Sequence, residues 1–264
     1  MMRVDLQVLT AEIRQIAQEE ILPRFARVGF AFKQDGSLLT EADLATDRRI
    51  REFLRQQWPE IAFLSEEMGH GEQQRLLRES TALWCLDPLD GTSNFAAGLP
   101  LFAVSLALIQ QGEVVLALTY DPVRDEMFAA EKGQGAWLNG EPLRCRSSGF
   151  NLPNAVAIID FKRIPMPLRR ALVERPPYGS QRNLGSCALE WAWMAANRGH
   201  IYLHGGMKLW DLAAGTLILA EAGGHASTLQ GEPVFKAALE PRSAVISPDH
   251  ELFAAWLRFL QENG

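Results

Sequence analysis

Two carboxylates three residues apart, Asp87 and Asp90, sit in the run Trp84-Cys85-Leu86-Asp87-Pro88-Leu89-Asp90-Gly91-Thr92-Ser93-Asn94-Phe95. Pro88 fixes φ between them and Gly91 lets the backbone turn tightly, so both acids can face one point. Thr92 brings a hydroxyl to the same place, and the amides after Asp90, if they open a helix, form an anion site. An Asp-Gly pair alone is equally the signature of a turn at a strand end. Two further acidic points bear on the choice. Glu66-Glu67 closes the apolar run 61–65, and Trp210-Asp211 stands at the head of an apolar stretch. Singly, Asp211 reads as a helix N-cap and the two glutamates as solvated loop charges. Jointly, three carboxylate clusters, each at the end of an apolar element, point to a hard cation held by oxygen ligands, for which Mg²⁺ is the natural choice. The five histidines, His70, His200, His204, His225 and His250, show no ligand spacing, so zinc is not indicated.

The elements that would position these groups follow from the pattern. Leu6, Leu9, Ile13, Ile16, Ala17 and Ile21 recur at three- and four-residue steps, predicting an amphipathic helix over 4–21 that ends before Pro23. A polar loop, Lys33-Gln34-Asp35-Gly36-Ser37, leads to a second helix with Thr40 as N-cap, Asp43 three residues on, and Ile50, Phe53, Leu54 and Trp58 on its apolar face. Asp47, one turn beyond Asp43, reads as surface charge. From 102 to 143, short apolar runs cut by Gln111-Gly112, Asp121-Pro122, Lys132-Gly133 and Asn139-Gly140 predict an antiparallel meander. Beyond about 145 the layout is α/β, with strands at 155–160, 201–203 and 244–246 and helices at 167–174, 186–198, 211–222 and 249–260. A lobe boundary is expected near Arg146-Ser147-Ser148-Gly149, giving an N-terminal α+β lobe (1–146) and a C-terminal α/β lobe (147–264).

Composition narrows the functional classes. The chain has 264 residues, 47% hydrophobic, and 32 acids against 26 bases for a net charge of −6. That sign disfavours a dedicated nucleic-acid or anionic-membrane binder. Cys85, Cys145 and Cys187 form no CxxC pair and are odd in number, so no disulfide framework is expected and a reducing, cytoplasmic setting fits best. Neither a secretory leader nor an apolar run near 18 residues is seen.

Five segments carry a resemblance: WCLDPLDGTSNF at 84–95, WDLAAGTLILAEAGG at 210–224, SEE at 65–67, TEAD at 40–43 and GQGAWLNG at 133–140. Together they resemble the inositol monophosphatase family of Mg²⁺-dependent, lithium-sensitive phosphatases over almost the whole chain. The resemblance implies a layered αβαβα sandwich of the sugar-phosphatase type and a homodimer, with Trp191, Trp193 and Met194 as interface candidates that at helical spacing are more often core. It implies two to three Mg²⁺ ions. Glu66, Asp87 and the Leu89 carbonyl would hold the first, Asp87, Asp90 and Asp211 the second, and a weaker third would lie near Glu66. Asp43 with Thr92 resembles the pair that orients and deprotonates the attacking water, with Glu66 also placed in the catalytic set. Gly91 and Thr92 would bind phosphate, and Lys33 with the loop around Gly36 matches a mobile segment over the site. Such an arrangement answers the problem of a phosphomonoester dianion, which repels hydroxide and needs its leaving alkoxide stabilised.

Substrate contacts are expected from Asp90, Asp211, Ser186, Cys187 and His204. His204 stands seven residues before Asp211, where inositol-selective relatives carry Glu; a charged histidine there, with Lys208 and Arg182, would favour a second anionic group. The Asp90–Phe95 sequence looks more like the inositol branch than the nucleotide-bisphosphatase branch. Inositol monophosphate is therefore the leading substrate, with fructose 1,6-bisphosphate and 3′-phosphoadenosine 5′-phosphate as alternatives. A regulatory protein of a transcription complex, with incidental phosphatase activity, is the alternative of a different class.

Overall fold

The computed structural model describes residues 4–27, 29–33, 36 and 38–264. Helix α1 (Leu6–Glu20) starts where the Asp5 carboxylate accepts the Gln7 and Val8 amides, and it buries Leu9, Ile13, Ile16 and Ala17. A hairpin of β1 (Phe30–Phe32) and β2 (Leu38–Thr40) follows. Of the polar loop expected between them, Gln34, Asp35 and Ser37 lie outside the described residues. Helix α2 (Glu41–Gln57) is capped as its sequence predicts, with Thr40 and Asp43 hydrogen-bonded reciprocally.

The first sheet has seven strands in the order β3 (Ala62–Ser65), β4 (Ala82–Asp90), β5 (Ala103–Gln110), β6 (Glu113–Asp121), β7 (Glu126–Glu131), β8 (Gly135–Leu138) and β9 (Glu141–Leu143). β3 and β4 are parallel, joined by α3 (His70–Glu79); all the other pairs are antiparallel. The β8–β9 hairpin turns on Asn139 and Gly140, both at positive φ, which matches the twist of the flanking strands. A short helix, α4 (Thr92–Ala97), leaves β4 directly.

The second sheet is built from β10 (Val156–Asp160), β11 (Ser180–Arg182), β12 (Ile201–Met207), β13 (His225–Ser227) and β14 (Arg242–Ser247), ordered β11-β10-β12-β14-β13. Its helices are α5 (Met166–Glu174), α6 (Cys187–Ala195), α7 (Leu209–Glu221) and α8 (His250–Asn263). Three apolar clusters define five layers. α1 and α2 pack on the outer face of the first sheet. α6 and α7 fill the space between the two sheets, where Trp191, Ile218 and Tyr202 share one core with Phe128 and Ala117. α8 and α5 cover the far face of the second sheet around Trp256. The fold is thus αβαβα, with α6 and α7 apolar on nearly every side because both faces are covered.

Several expectations need correction. α7 begins at Leu209, so Asp211 lies in the first turn and is not the N-cap; Leu209 and Trp210 are buried and draw the helix start forward. Asp47 is 6% exposed, not surface charge: it faces inward one turn after Asp43, with Arg51 on one oxygen at 2.9 Å and no partner on the other. Trp191 and Met194 are fully buried in the middle layer, while the guanidinium groups of Arg124 and Arg198 lie 5.1 and 5.4 Å from the Trp193 ring centroid. No helix among the described residues is long and apolar enough to cross a membrane.

Candidate active site

Regular alternation would send Asp87 and Asp90 to opposite faces of β4. A bulge prevents this: Asp87 pairs with Ser105 and Asp90 with Ala103, so β4 spends one more residue than β5 over the interval. Pro88 lies inside that bulge, where no ladder bond is needed from it. Gly91 then turns at φ 91°, and a Cβ there would lie 2.8 Å from the Leu101 carbonyl oxygen, so only glycine fits. The third acid arrives with α7, whose start is tied to β5 by the Ser105 hydroxyl donating to the Trp210 carbonyl at 3.0 Å. Carboxylate oxygens of Asp87, Asp90 and Asp211 consequently lie within 4.8 Å of one another.

Each acid is oriented. Asp87 accepts the Leu89 amide at 3.0 Å and Asp211 the Lys208 amide at 2.8 Å. Asp90 accepts the Ser186 hydroxyl at 2.6 Å and the Ala188 amide at 2.7 Å, both from the start of α6. Burial, then mutual repulsion with Glu66 and one another, pushes Asp87 and Asp211 well above the usual carboxylate range. Asp90 is raised to about 6, chiefly by burial, with its hydrogen bonds opposing. Three converging acids with no cationic side chain among them, and only oxygen donors, fit a hard divalent ion.

Glu66 enters beside them because β3 runs parallel to β4 with Ser65 opposite Leu86 and the Glu66 amide bonded to the Leu86 carbonyl. It stands outside the trio and takes the Lys33 ammonium at 3.0 Å, while Glu67 takes it at 2.7 Å. Burial raises Glu67 to about 7 despite that lysine. Lys33 is raised: burial, the largest influence, lowers it, but the two glutamates together outweigh the loss. Buried Gln73 on α3 donates to the Ser65 carbonyl at 2.9 Å and braces this turn.

On the other side Asp43 faces Thr92. One Asp43 oxygen accepts the Thr40 amide and hydroxyl at 2.7 and 2.5 Å; the other is 3.0 Å from the Thr92 hydroxyl, which is also 3.0 Å from the Leu89 carbonyl. Capping α2 and meeting Thr92 are thus done by different oxygens of one carboxylate. Burial raises Asp43, with these hydrogen bonds opposing.

A cavity of 520 Å³ opens beside the trio, lined by Asp211, Cys187, Asp160, Lys162, Arg163 and His204 among others. His204 is 5% exposed. Its Nδ1 accepts the Gly206 amide at 3.1 Å, and its Nε2 is 3.7 Å from Asp160, its neighbour in the parallel β10–β12 register. Burial pushes His204 down to about 4, so at neutral pH it is an uncharged Nε2–H donor. The positive charge expected of it is supplied instead by Lys162 and Arg163. Arg182 is exposed, its guanidinium on the Gln181 carbonyl, and the Lys208 ammonium lies over the Trp210 ring. Ser186 is fully buried with its hydroxyl committed to Asp90; the Cys187 thiol, on the cavity wall, is pushed well up by burial and by Asp211 and Asp90.

This geometry can be set beside known proteins. The profile of the inositol monophosphatase family matches residues 3–262. The chain belongs to that family. The inositol-1-monophosphatase of Mesorhizobium japonicum is 35% identical over 209 residues, 76% of each chain. The Nus factor SuhB of Pasteurella multocida is 35% identical over 204 residues, 75% of this chain and 74% of that one. Among solved structures, Thermotoga maritima IMPase superposes with a TM-score of 0.82 at 28% identity, covering 98% of this chain and 99% of that one. As a member of the inositol monophosphatase family, the protein is a phosphoric monoester hydrolase, with a small phosphorylated molecule as its substrate.

Proposed function

We propose that the protein hydrolyses myo-inositol monophosphate to inositol and phosphate with Mg²⁺ at the carboxylate trio. The convergence of Asp87, Asp90 and Asp211 within 4.8 Å beside the Asp43–Thr92 pair carries the reading. Asp87, Asp90 and Asp211 would hold the metal, with Glu66 and the Leu89 carbonyl completing a set for two to three ions. When bound, Mg²⁺ supplies neutralisation of the phosphate charge and acidification of water.

The side chains do the rest. The Thr92 hydroxyl accepts a proton from the attacking water while passing its own to Asp43, whose free oxygen faces it and whose raised pKa makes it a stronger base. Thr40 fixes the other oxygen, so the base keeps one orientation. The Gly91 and Thr92 amides would orient phosphate. In the cavity a ring hydroxyl would accept from His204 Nε2 and donate to Asp160, a pairing that suits a polyol. Ser186 acts through Asp90, and Cys187 packs against the substrate as a neutral thiol. Lys33 would close over the site with its hairpin.

We further propose the lithium sensitivity, homodimer and cytoplasmic location of the family, and a division of the chain at 146/147. A substrate panel with Mg²⁺, with and without Li⁺, tests the activity: inositol 1-phosphate should rank above fructose 1,6-bisphosphate and 3′-phosphoadenosine 5′-phosphate. A reversed ranking overturns the substrate. A second reading, membership of a transcription complex, is favoured by the relatives named Nus factor SuhB. Recovery of RNA polymerase factors by the tagged protein, with normal growth of an Asp87→Asn allele, would select it.

A further inference from the structure

A second cavity, also 520 Å³, lies at the opposite end of α6 from the carboxylates, between the crossover segment after β9 and the start of β12. Its wall is pinned more firmly than a connecting segment requires. Asn197, at φ 61°, donates to the Arg144 carbonyl at 2.9 Å and accepts the Arg146 amide at 2.8 Å. The Cys145 amide reaches the Ala222 carbonyl at 2.7 Å. The Ser147 hydroxyl and Ser148 amide both bind Asp249, at 2.7 and 2.9 Å. The backbone is held while the side chains of Arg144 and Arg146 stay exposed and, among the described residues, pair with no carboxylate. In a chain of net charge −6 this is a local excess of fixed positive charge.

The same cavity presents an aromatic platform. Phe150 is 47% exposed yet held flat on the His200 ring, with centroids 4.2 Å apart and planes 26° from parallel. His200 Nδ1 accepts the Val156 amide at 2.9 Å, which leaves Nε2–H as its donor. Two unpaired guanidinium groups select phosphate, and a half-bare ring on a fixed partner selects another flat ring. Neither feature alone discriminates. Together they fit a molecule that carries both.

We infer that this cavity binds a nucleotide, with its base stacked on Phe150 and its phosphate held by Arg144 and Arg146, at a site separate from the phosphatase centre. The nucleotide could come as a free molecule or as one unit of an RNA strand. Calorimetric titration of the full chain in chelator with AMP, adenosine, inorganic phosphate and a single-stranded oligonucleotide tests this. AMP should bind at least tenfold more tightly than adenosine or phosphate. That binding should survive Asp87→Asn, fall at least tenfold in Arg144→Ala/Arg146→Ala, and fall severalfold in Phe150→Ala. Arg144→Lys/Arg146→Lys, which keeps the charge, should recover part of the loss and guards against a folding artefact. A more than tenfold preference for the oligonucleotide, equally sensitive to the arginines, assigns the strand as the source; parity assigns the free nucleotide. Binding lost in Asp87→Asn, indifferent to the arginines, or no stronger than that of phosphate overturns the proposal.

Discussion

The two walls of the active-site cleft are built on different plans. On the carboxylate wall each acid is fixed by donors close by in the chain or at a helix start: Leu89 for Asp87, Lys208 for Asp211, Thr40 for Asp43, Ser186 and Ala188 for Asp90. On the cavity wall Asp160 and His204 are also held, by the Lys162 and Gly206 amides, but they stand 3.7 Å apart without bonding each other. Lys162 and Arg163 lie on an exposed turn, Arg163 reaching back to the Gly206 carbonyl. The first plan suits chemistry, where a misplaced oxygen is costly; the second suits recognition, where groups can vary without dismantling the reaction. Changes on the carboxylate wall should therefore reduce kcat, and changes on the cavity wall should move KM.

The largest effect is expected for Asp87→Asn, with kcat down on the order of 10²–10³-fold or more while circular dichroism stays native. Near wild-type turnover with Mg²⁺ would end the metal assignment. Asp43→Asn should follow at roughly 10²-fold, with Mg²⁺ affinity by calorimetry little changed, because the role proposed for it is to move a proton and not to hold the metal. Ser186→Ala removes one of the two donors that share a single Asp90 oxygen, leaving the Ala188 amide, and should cost about 10-fold in metal affinity or activity. Were it silent, the Ser186 hydroxyl would not be positioning Asp90, and the Ala188 amide alone would suffice.

A stability prediction separates charge from catalysis. Unfolded, Asp90 and Glu190, an acid buried on α6 that accepts the Leu184 and Gly185 amides, titrate near 3.8 and 4.5; burial raises them to about 6 and about 7 in the fold. The native state therefore holds more protons across that window, and metal-free stability must fall as pH rises from about 4 to about 7. Melting of chelator-treated protein should show that fall, and saturating Mg²⁺ should remove the part due to Asp90 while leaving that due to Glu190; a curve that rises with pH would contradict the raised values. The smallest effect is His204→Ala, expected to raise KM for inositol 1-phosphate severalfold with kcat nearly constant.

Sequence and structure agree where the information is local. The Thr40–Asp43 cap and the Asn139-Gly140 hairpin are set by neighbours in the chain, and Pro88 and Gly91 mark the bend at which the β4–β5 bulge brings Asp87 and Asp90 together. Where position depends on register or burial, the sequence is silent or misleading. Asp160 meets His204 only because β10 and β12 pair in parallel, and Lys162 and Arg163 follow from that pairing. Asp47 has the composition of a solvated helix face, yet the turn that aims Asp43 inward aims it inward too. Helix α3 escapes pattern reading because its run of Gln, Arg and Glu buries only Gln73, whose task is a hydrogen bond to Ser65.

The middle layer has a mechanical meaning. α6 and α7 come from the later part of the chain, yet they complete the core under the first sheet and deliver Ser186, Ala188 and Asp211 to acids on β4. A cation at the trio would span that seam, gripping β4 on one side and α7 on the other. It would act as a rivet between layers, so release of Mg²⁺ and separation of α7 from the first sheet would be the same event seen by two instruments.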